Sequence, residues 1–347
     1  MKPKVVVGMS GGLDSSVAAL LLQQMGYEVI GLFLHLYAGN HPRSCCSLEA
    51  AQYAQRTAEM LGIPLYVYNA QESFHRYVID YFQEGYGKGK TPNPCIACNR
   101  LVRFPLFLQQ AQAFGADFIA TGHYARIRMN PENHQYGLYR ALDNHKDQSY
   151  FLYPIPRDLL PRLIFPLGRM TKKEVKEIAV RHQLPSLQKP ESQDLCFFMG
   201  NVAEFFPEGD VEIISEEGET LGKYRGRLFF TIGQRKGLTI SSGRKLYIQE
   251  VNLEKGFIRM GPRESLECSS LDVVEVNWLI PEPNEELEVT IQHRYHSEEV
   301  PAKVVWKGER ACVYLRQKIW APAVGQAAVF YKNGQVLGGG IISRVAR

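Results

Sequence analysis

The chain has 347 residues, 45% of them apolar, and a formal net charge of only +4. That length accommodates two or three domains with real hydrophobic cores, and the small net charge excludes a globally cationic nucleic-acid coat; any such binding must come from local basic surfaces. Seven cysteines, an odd number, do not make a secreted disulfide framework. With a strand starting within four residues of the first and no apolar run of membrane-span length, a cytoplasmic location and no membrane partner are expected.

Val5-Val6-Val7 reads as a buried strand. Gly8-Met9-Ser10-Gly11-Gly12-Leu13-Asp14-Ser15-Ser16 follows as a turn that leads into the apolar run Val17 to Leu22, a helix. Three glycines let the backbone bend sharply and bring N–H groups close to a ligand. The unpaired N–H groups of the helix's first turn then face the same point, an arrangement suited to phosphate. A nucleoside-triphosphatase P-loop would need a lysine where Leu13 and Asp14 stand, and the glycines lack dinucleotide-fingerprint spacing. Ser-Gly-Gly-x-Asp-Ser resembles the pyrophosphate-binding loop of the ATP pyrophosphatase superfamily. The plainer reading is a tight strand-to-helix turn with Asp14 as a helix cap.

Beyond this turn, strand and helix alternate: Val29 to Leu36, Leu48 to Leu61 closed by Gly62, Pro64 to Tyr68, Ser73 to Glu84, Ala97 to Phe114 and Asp117 to Ala120. The pattern predicts an α/β domain with a parallel sheet, its ligand site beyond the carboxyl ends of the strands. The loop Gly85 to Arg100 sets Cys95 and Cys98 at the start of a helix, where a thiolate is generally favoured. Cys-x-x-Cys alone could be half a zinc site, a redox pair or two buried small residues. Cys196 adds a third thiol in a loop entering a structured element, which fits an open site or a redox pair better than a closed zinc site. Adjacent Cys45 and Cys46 read as structural or ancillary, and Cys268 and Cys312 as core.

Thr171-Lys172-Lys173-Glu174 is a capping box opening a basic amphipathic helix to about His182. After Gly200 the sequence turns β-like. Lys223, Arg225, Arg227, Arg235, Lys236, Arg244 and Lys245 fall between Leu221 and Gln249 without an acid, a solvated face or a phosphate-binding one. Leu287 to His293, Ala302 to Trp306, Ala311 to Leu315 and Ala327 to Tyr331 alternate apolar and polar residues, and Asn333-Gly334 is a hairpin turn before Val336 to Ile342. A small antiparallel barrel is predicted. The expected domains are 1–200, catalytic; 201–267, small and β-rich; and 268–347, a β-barrel.

Gly8 to Ser16, Thr91-Pro92-Asn93-Pro94, Cys98-Asn99, Ala120 to Tyr124, Asn144, Lys146 to Tyr153, Gly233 to Gly237 and Gly338 to Ile342 together resemble the tRNA-specific 2-thiouridylases, in order along the whole chain. The resemblance implies an ATP- and Mg²⁺-dependent sulfurtransferase that adenylates the C2 oxygen of the wobble uridine of tRNA and replaces it with sulfur. It implies that Gly8, Met9, Ser10, Gly11, Gly12, Leu13, Asp14 and Ser15 hold ATP phosphates, and that Leu34 and Gly122 contact the adenosine. Cys196 would carry sulfur as a persulfide; Cys98 would be the nucleophile that releases it and ends in a disulfide with Cys196. Asn93, Pro94, Cys95, His123, Lys146, Asp147, Gln148, Arg294, Tyr295 and Gln326 would face the tRNA or its target base. Family members usually have aspartate at the position of Cys95. The departure opens a second route, a 4Fe-4S cluster held by Cys95, Cys98 and Cys196 that binds hydrosulfide. The sulfur source would be a persulfide-carrying protein or sulfide. The alternatives are a related ATP pyrophosphatase acting on another acceptor, and a non-catalytic tRNA-binding or redox protein.

Overall fold

The computed structural model describes residues 2–37, 48–131, 133–188, 195–197, 205–238 and 245–346; Cys45, Cys46 and Arg244 lie outside the described residues. The chain groups into two compact units. The first comprises Met1–Val78, Cys95–Met199 and Asn333–Leu337, and the second Ile79–Pro94, Gly200–Lys332 and Gly338–Arg347. No helix of the described residues is long and apolar enough to cross a membrane.

In the first unit β1 (Lys4–Gly8), β2 (Glu28–His35), β3 (Leu65–Asn69), β4 (Phe118–Thr121) and β7 (Leu163–Ile164) form a parallel sheet in the order β3-β2-β1-β4-β7. Val5, Val6 and Val7 on central β1 are wholly buried. Covering on both faces explains why their sequence shows an unbroken apolar run instead of alternation. Each contributes roughly 1.5–3 kcal/mol by burial. Edge strand β3 leaves Tyr66 and Val67 exposed.

Helix α1 (Leu13–Gln24) is sandwiched, which accounts for its apolar character all round. Ala19 and Leu22 pack with Val5, Val7, Phe33 and the alanines of α2 (Leu48–Leu61). Val17, Ala18 and Leu20 pack instead with Tyr124, Leu167 and Val175 and Ala179 of the helix Lys172–Arg181. That helix begins with the predicted capping box: the Glu174 N–H donates to Thr171 Oγ1 at 3.3 Å, and the Thr171 N–H to Glu174 Oε2 at 2.7 Å.

The helix predicted over 73–84 begins at Gln71, passes through a π-helical stretch, His75–Ile79, and ends at Gly87. The helix predicted from Ala97 starts at Pro94 and passes through a π-helical stretch, Asn99–Arg103, before Phe104–Ala113. An antiparallel hairpin, β5 (Ala125–Met129) and β6 (Tyr136–Arg140), was not foreseen; its five-residue strands give too short an alternation to stand out.

In the second unit β8 (Glu208–Ile214), β9 (Thr220–Arg227), β10 (Tyr247–Asn252) and β11 (Phe257–Gly261) form a sheet in the order β10-β11-β8-β9 over a core that includes Ile213, Phe230, Ile248 and Ile258. The strands β12 (Glu267–Trp278), β13 (Leu287–Gln292), β14 (Val300–Trp306), β15 (Arg310–Trp320), β16 (Ala327–Lys332) and β17 (Gln335–Ala346) form the expected barrel, closed by pairing of β12 with β17. Asn333 and Gly334 both have positive φ, 51° and 75°, as a two-residue hairpin turn requires.

Gly11 has φ +68°, and a Cβ there would lie 2.0 Å from the Ala50 carbonyl oxygen. Gly11→Ala is therefore expected to destabilise the first unit by more than about 1 kcal/mol, seen in a thermal melt as a drop of roughly 2–4 °C for each kcal/mol.

Candidate active site

The Gly8–Ser15 turn sits at the carboxyl end of β1, where the sheet order reverses between β2 and β4. Leu34 at the end of β2 and Gly122 just after β4 flank it. This is the crevice in which doubly wound sheets bind ligands. Ser15 Oγ accepts the Ser10 N–H at 3.1 Å and donates to the Gly12 carbonyl at 2.9 Å, which folds the turn back on itself. Gly12 is the N-cap of α1 and has no side-chain cap, so the first-turn N–H groups remain directed outward. A Cβ on Gly122 would lie 2.8 Å from the Asp14 carbonyl carbon and the Ser15 nitrogen. Backbone thus meets backbone at the helix start, and only glycine fits.

Asp14 neither caps α1 nor presents a bare carboxylate. Its Oδ1 receives Lys172 Nζ at 2.7 Å and the Tyr124 hydroxyl at 2.9 Å. Both contacts fall on Oδ1.

His123 lies between Phe104 and Phe165. Its Nδ1 is 2.6 Å from Thr121 Oγ1, and its Nε2 is 3.4 Å from Arg103 Nη1. A guanidinium only donates, so Nε2 accepts and the proton sits on Nδ1. Burial, and then the Arg103 charge, push the imidazole down to about 3, so it is neutral at physiological pH. Arg103 also approaches Asn99 Oδ1 at 3.5 Å, while Asn99 Nδ2 donates to the Phe151 carbonyl at 2.9 Å. The π-helical stretch thereby joins Cys98 to His123 through two polar side chains.

The Lys146–Gln148 loop is tied to the same region. The Tyr124 N–H donates to Gln148 Oε1 at 3.0 Å, and the Gln148 N–H to the Tyr124 carbonyl at 2.8 Å. Asp147 is buried, and its carboxylate accepts Arg140 Nη1 at 2.6 Å, the Ala141 N–H at 2.8 Å and the Ser149 hydroxyl at 2.8 Å. Expected as a tRNA contact, Asp147 acts here as a brace for the loop, and half-buried Lys146 stands beside it.

Cys98 is buried; Cys95 and Cys196 are half-buried. Cys95 and Cys98 lie on the helix Pro94–Cys98. The position of Cys196 is anchored by Phe197, whose ring meets Tyr37 and Phe74 edge-on. Among the described residues, no three His, Cys, Asp or Glu side chains converge to hold a metal ion.

In the second unit Gln326 Nε2 donates to the Thr91 carbonyl at 3.0 Å, and the Thr91 N–H to the Val324 carbonyl at 2.8 Å. These bonds fasten the segment that leads through half-buried Asn93 to Pro94. Arg294 Nη2 donates to the Ala321 carbonyl at 2.6 Å and the Ile232 carbonyl at 3.3 Å. Tyr295 lies against His296, with ring centroids 3.9 Å apart. Expected to face tRNA, Gln326 and Arg294 here use their side chains to hold backbone. Part of the acid-free run of 221–249 meets acids in space. Strand β9 lies antiparallel to β8, setting Lys223, Arg225 and Arg227 opposite Glu212, Asp210 and Glu208; Arg227 pairs with Glu208 at 3.2 Å and Arg225 with Asp210 at 3.7 Å.

Comparison with known proteins now bears on this arrangement. Residues 3–200 match the family model described as tRNA methyl transferase HUP domain, 201–262 the tRNA methyl transferase PRC-barrel domain, and 268–342 the aminomethyltransferase beta-barrel domain. The tRNA-specific 2-thiouridylase MnmA of Caldicellulosiruptor saccharolyticus is 40% identical, with 99% of each chain covered. That of Geobacter metallireducens is 42% identical over 98% of this chain and 97% of its own. The chain belongs to the tRNA-specific 2-thiouridylase family. Among solved structures, a 4-thiouridine synthetase–RNA complex with bound ATP is 20% identical with a TM-score of 0.40, over 57% of this chain and 46% of that one.

Within this family's chain, sequence reasoning missed Lys172, Arg103 and the bracing role of Asn99. Lys172 was legible only as part of a capping box; that its side chain, 12% exposed, reaches the first turn of α1 depends on how two helices pack. Lys172→Met should weaken ATP binding on the order of tenfold, the loss of one charge-assisted contact, measured by titration calorimetry; unchanged affinity would remove Lys172 from the site. Neutral His123 should make the fold acid-sensitive. Between about 3 and 6.5 the unfolded chain binds a proton that the folded one refuses, so stability is present above 6.5 and lost as pH falls. His123→Asn should flatten urea stability over that range, while His293, pushed down to about 4 by burial and then by Arg294, leaves a residual slope.

Proposed function

We propose that this chain catalyses the ATP-dependent 2-thiolation of the wobble uridine of tRNA. The observation that carries the reading is the full-length similarity to 2-thiouridylases in a chain that keeps the phosphate-type turn at the head of α1 and both thiols, Cys98 and Cys196. The family descriptions that speak of methyl transfer fit these residues less well, since methyl transfer requires neither an adenylating loop nor two thiols.

A uracil carbonyl is a poor electrophile until its oxygen becomes a leaving group. ATP would bind with its phosphates on the backbone N–H groups from Gly8 to Ser15 and its adenosine between Leu34 and Gly122. Mg²⁺ would neutralise phosphate charge, with the Asp14 carboxylate as a group that would hold it. The C2 oxygen attacks the α-phosphorus, forming a C2–O–AMP linkage and releasing pyrophosphate. Cys196 then carries a terminal sulfur received from a donor protein's persulfide or from sulfide plus an oxidant. The Cys98 thiolate attacks Cys196 Sγ, forms the Cys98–Cys196 disulfide and releases hydrosulfide. Hydrosulfide adds to C2, AMP departs, and an external thiol reduces the disulfide. RNA presents such a base unstacked in the anticodon loop, where neutral His123 and the Lys146–Gln148 loop would receive it. Delivery from a 4Fe-4S cluster would need Cys95, Cys98 and Cys196 as ligands, whereas the relay needs Cys98 and Cys196.

The test is thiolation of unmodified tRNA transcripts bearing uridine or cytidine at the wobble position, with ATP, Mg²⁺ and a persulfide donor, read by retardation in a mercury-containing gel. Only the uridine transcript should shift, and Cys98→Ser or Cys196→Ser should each lower turnover on the order of a thousandfold or more. Full turnover in either variant would remove that thiol from the relay. Cys95→Asp should retain activity without iron; loss of activity in the variant, together with wild-type turnover that depends on iron and sulfide, would favour the cluster.

A further inference from the structure

The hairpin that the sequence did not announce assembles a second basic surface in the first unit. Arg126 and Arg128 are two residues apart on β5 and so project from the same face of the strand. Arg169 reaches the same place from another part of the chain. The turn Pro166–Arg169 packs on β5 so closely that a Cβ on Gly168 would lie 1.8 Å from the Ala125 carbonyl oxygen and 2.9 Å from Arg126 Cγ. Arg126 Nε donates to the Arg140 carbonyl at 2.5 Å, and Arg128 lies over the Tyr139 ring, 5.4 Å from its centroid.

Among the described residues the charge of this face is only partly offset. Asp147, the carboxylate that acts on Arg126, is engaged by Arg140 at 2.6 Å. Among the described residues no carboxylate forms an ion pair with Arg126, Arg128 or Arg169. Like charge at this density raises the folded state's energy unless an anion relieves it. Strand β9 is the instructive contrast: its basic residues face acids across the sheet, and these arginines do not.

We infer that Arg126, Arg128 and Arg169 form a phosphate-binding surface for the RNA backbone, extending the proposed tRNA site beyond the loop at Lys146. Three observations favour RNA over an acidic protein. Arginine forks match phosphate oxygens in pairs. Residues two apart on a strand stand roughly 7 Å apart, a step suited to neighbouring phosphates. Hairpin residues Tyr136 and Met129 are exposed, offering a stacking surface beside the cations. The surface is also continuous with the proposed base site, because Tyr124 leads directly into β5 and bonds to Gln148, while Arg140 at the end of β6 bonds to Asp147. This inference rests on the proposed function.

The test uses the exposed pair, Arg128→Gln with Arg169→Gln, in the full chain, and measures tRNA binding by fluorescence anisotropy across a KCl series. Loss of two phosphate contacts should reduce the slope of log K against log salt by about 1.4–1.8. The double lysine variant, which keeps the charge, should retain most of the slope. ATP affinity, measured separately, should not change, which checks that the variant is folded. Wild-type protein that fails to bind tRNA overturns both the proposed function and this inference. Wild-type protein that binds tRNA while the glutamine variant shows the same slope overturns this inference alone. If that unchanged slope accompanies lost sulfur transfer from a persulfide-carrying protein, the surface belongs to the donor instead.

Discussion

The site depends on a backbone-to-backbone contact at the start of α1. Gly11 fits under the Ala50 carbonyl, and Gly122 fits against the peptide between Asp14 and Ser15; any larger residue at either place would push the helix away from the strands. With that contact made, the unpaired N–H groups of one helix are aimed across the carboxyl end of a parallel sheet. The burial of α1 on all sides keeps that direction rigid, since its residues belong to two apolar clusters at once. The phosphate site proposed here would rest on helix placement, with side chains serving mainly to hold the turn.

Around this rigid point, polar residues act largely on one another. Asp147 is satisfied by a guanidinium, a backbone N–H and a hydroxyl. Asn99 and Arg103 connect the thiol-bearing helix to His123, and Gln326 and Arg294 hold backbone carbonyls in the second unit. Such residues can be indispensable to a reaction without touching its substrate. A buried network of this kind sets loop positions to within a hydrogen-bond length, and removing one member leaves its partners unsatisfied. The site therefore mixes groups that can reach a ligand, such as the backbone of the turn, Lys146 and the thiols, with groups whose work is to hold those in place.

Charge shows the same division. A linear count finds a basic run on β9, yet antiparallel pairing brings Glu208, Asp210 and Glu212 from the previous strand alongside it. The arginines at 126, 128 and 169 look scattered in the sequence, but a close turn-to-strand contact gathers them. Electrostatic potential follows distance in space, so a sequence window is a poor guide wherever strands bring distant segments together.

The sequence by itself determined the α/β class, the strand–turn–helix at residues 5–22, the capping box at Thr171 and the barrel hairpin at Asn333-Gly334. Each is a local matter of side-chain periodicity, φ preference or hydrogen bonding within a few residues. It also carried a family resemblance, which full-length relatives then supported; the roles of Cys98 and Cys196 rest on that resemblance. Only the tertiary structure decided that Lys172 and Tyr124 engage Asp14, that His123 is neutral, that Asp147 is internal, and which basic residues remain unbalanced by acids. These properties depend on groups as far apart in sequence as Asp14 and Lys172, 2.7 Å apart in space. Burial and Coulomb interactions act through that spatial separation, which no local pattern encodes.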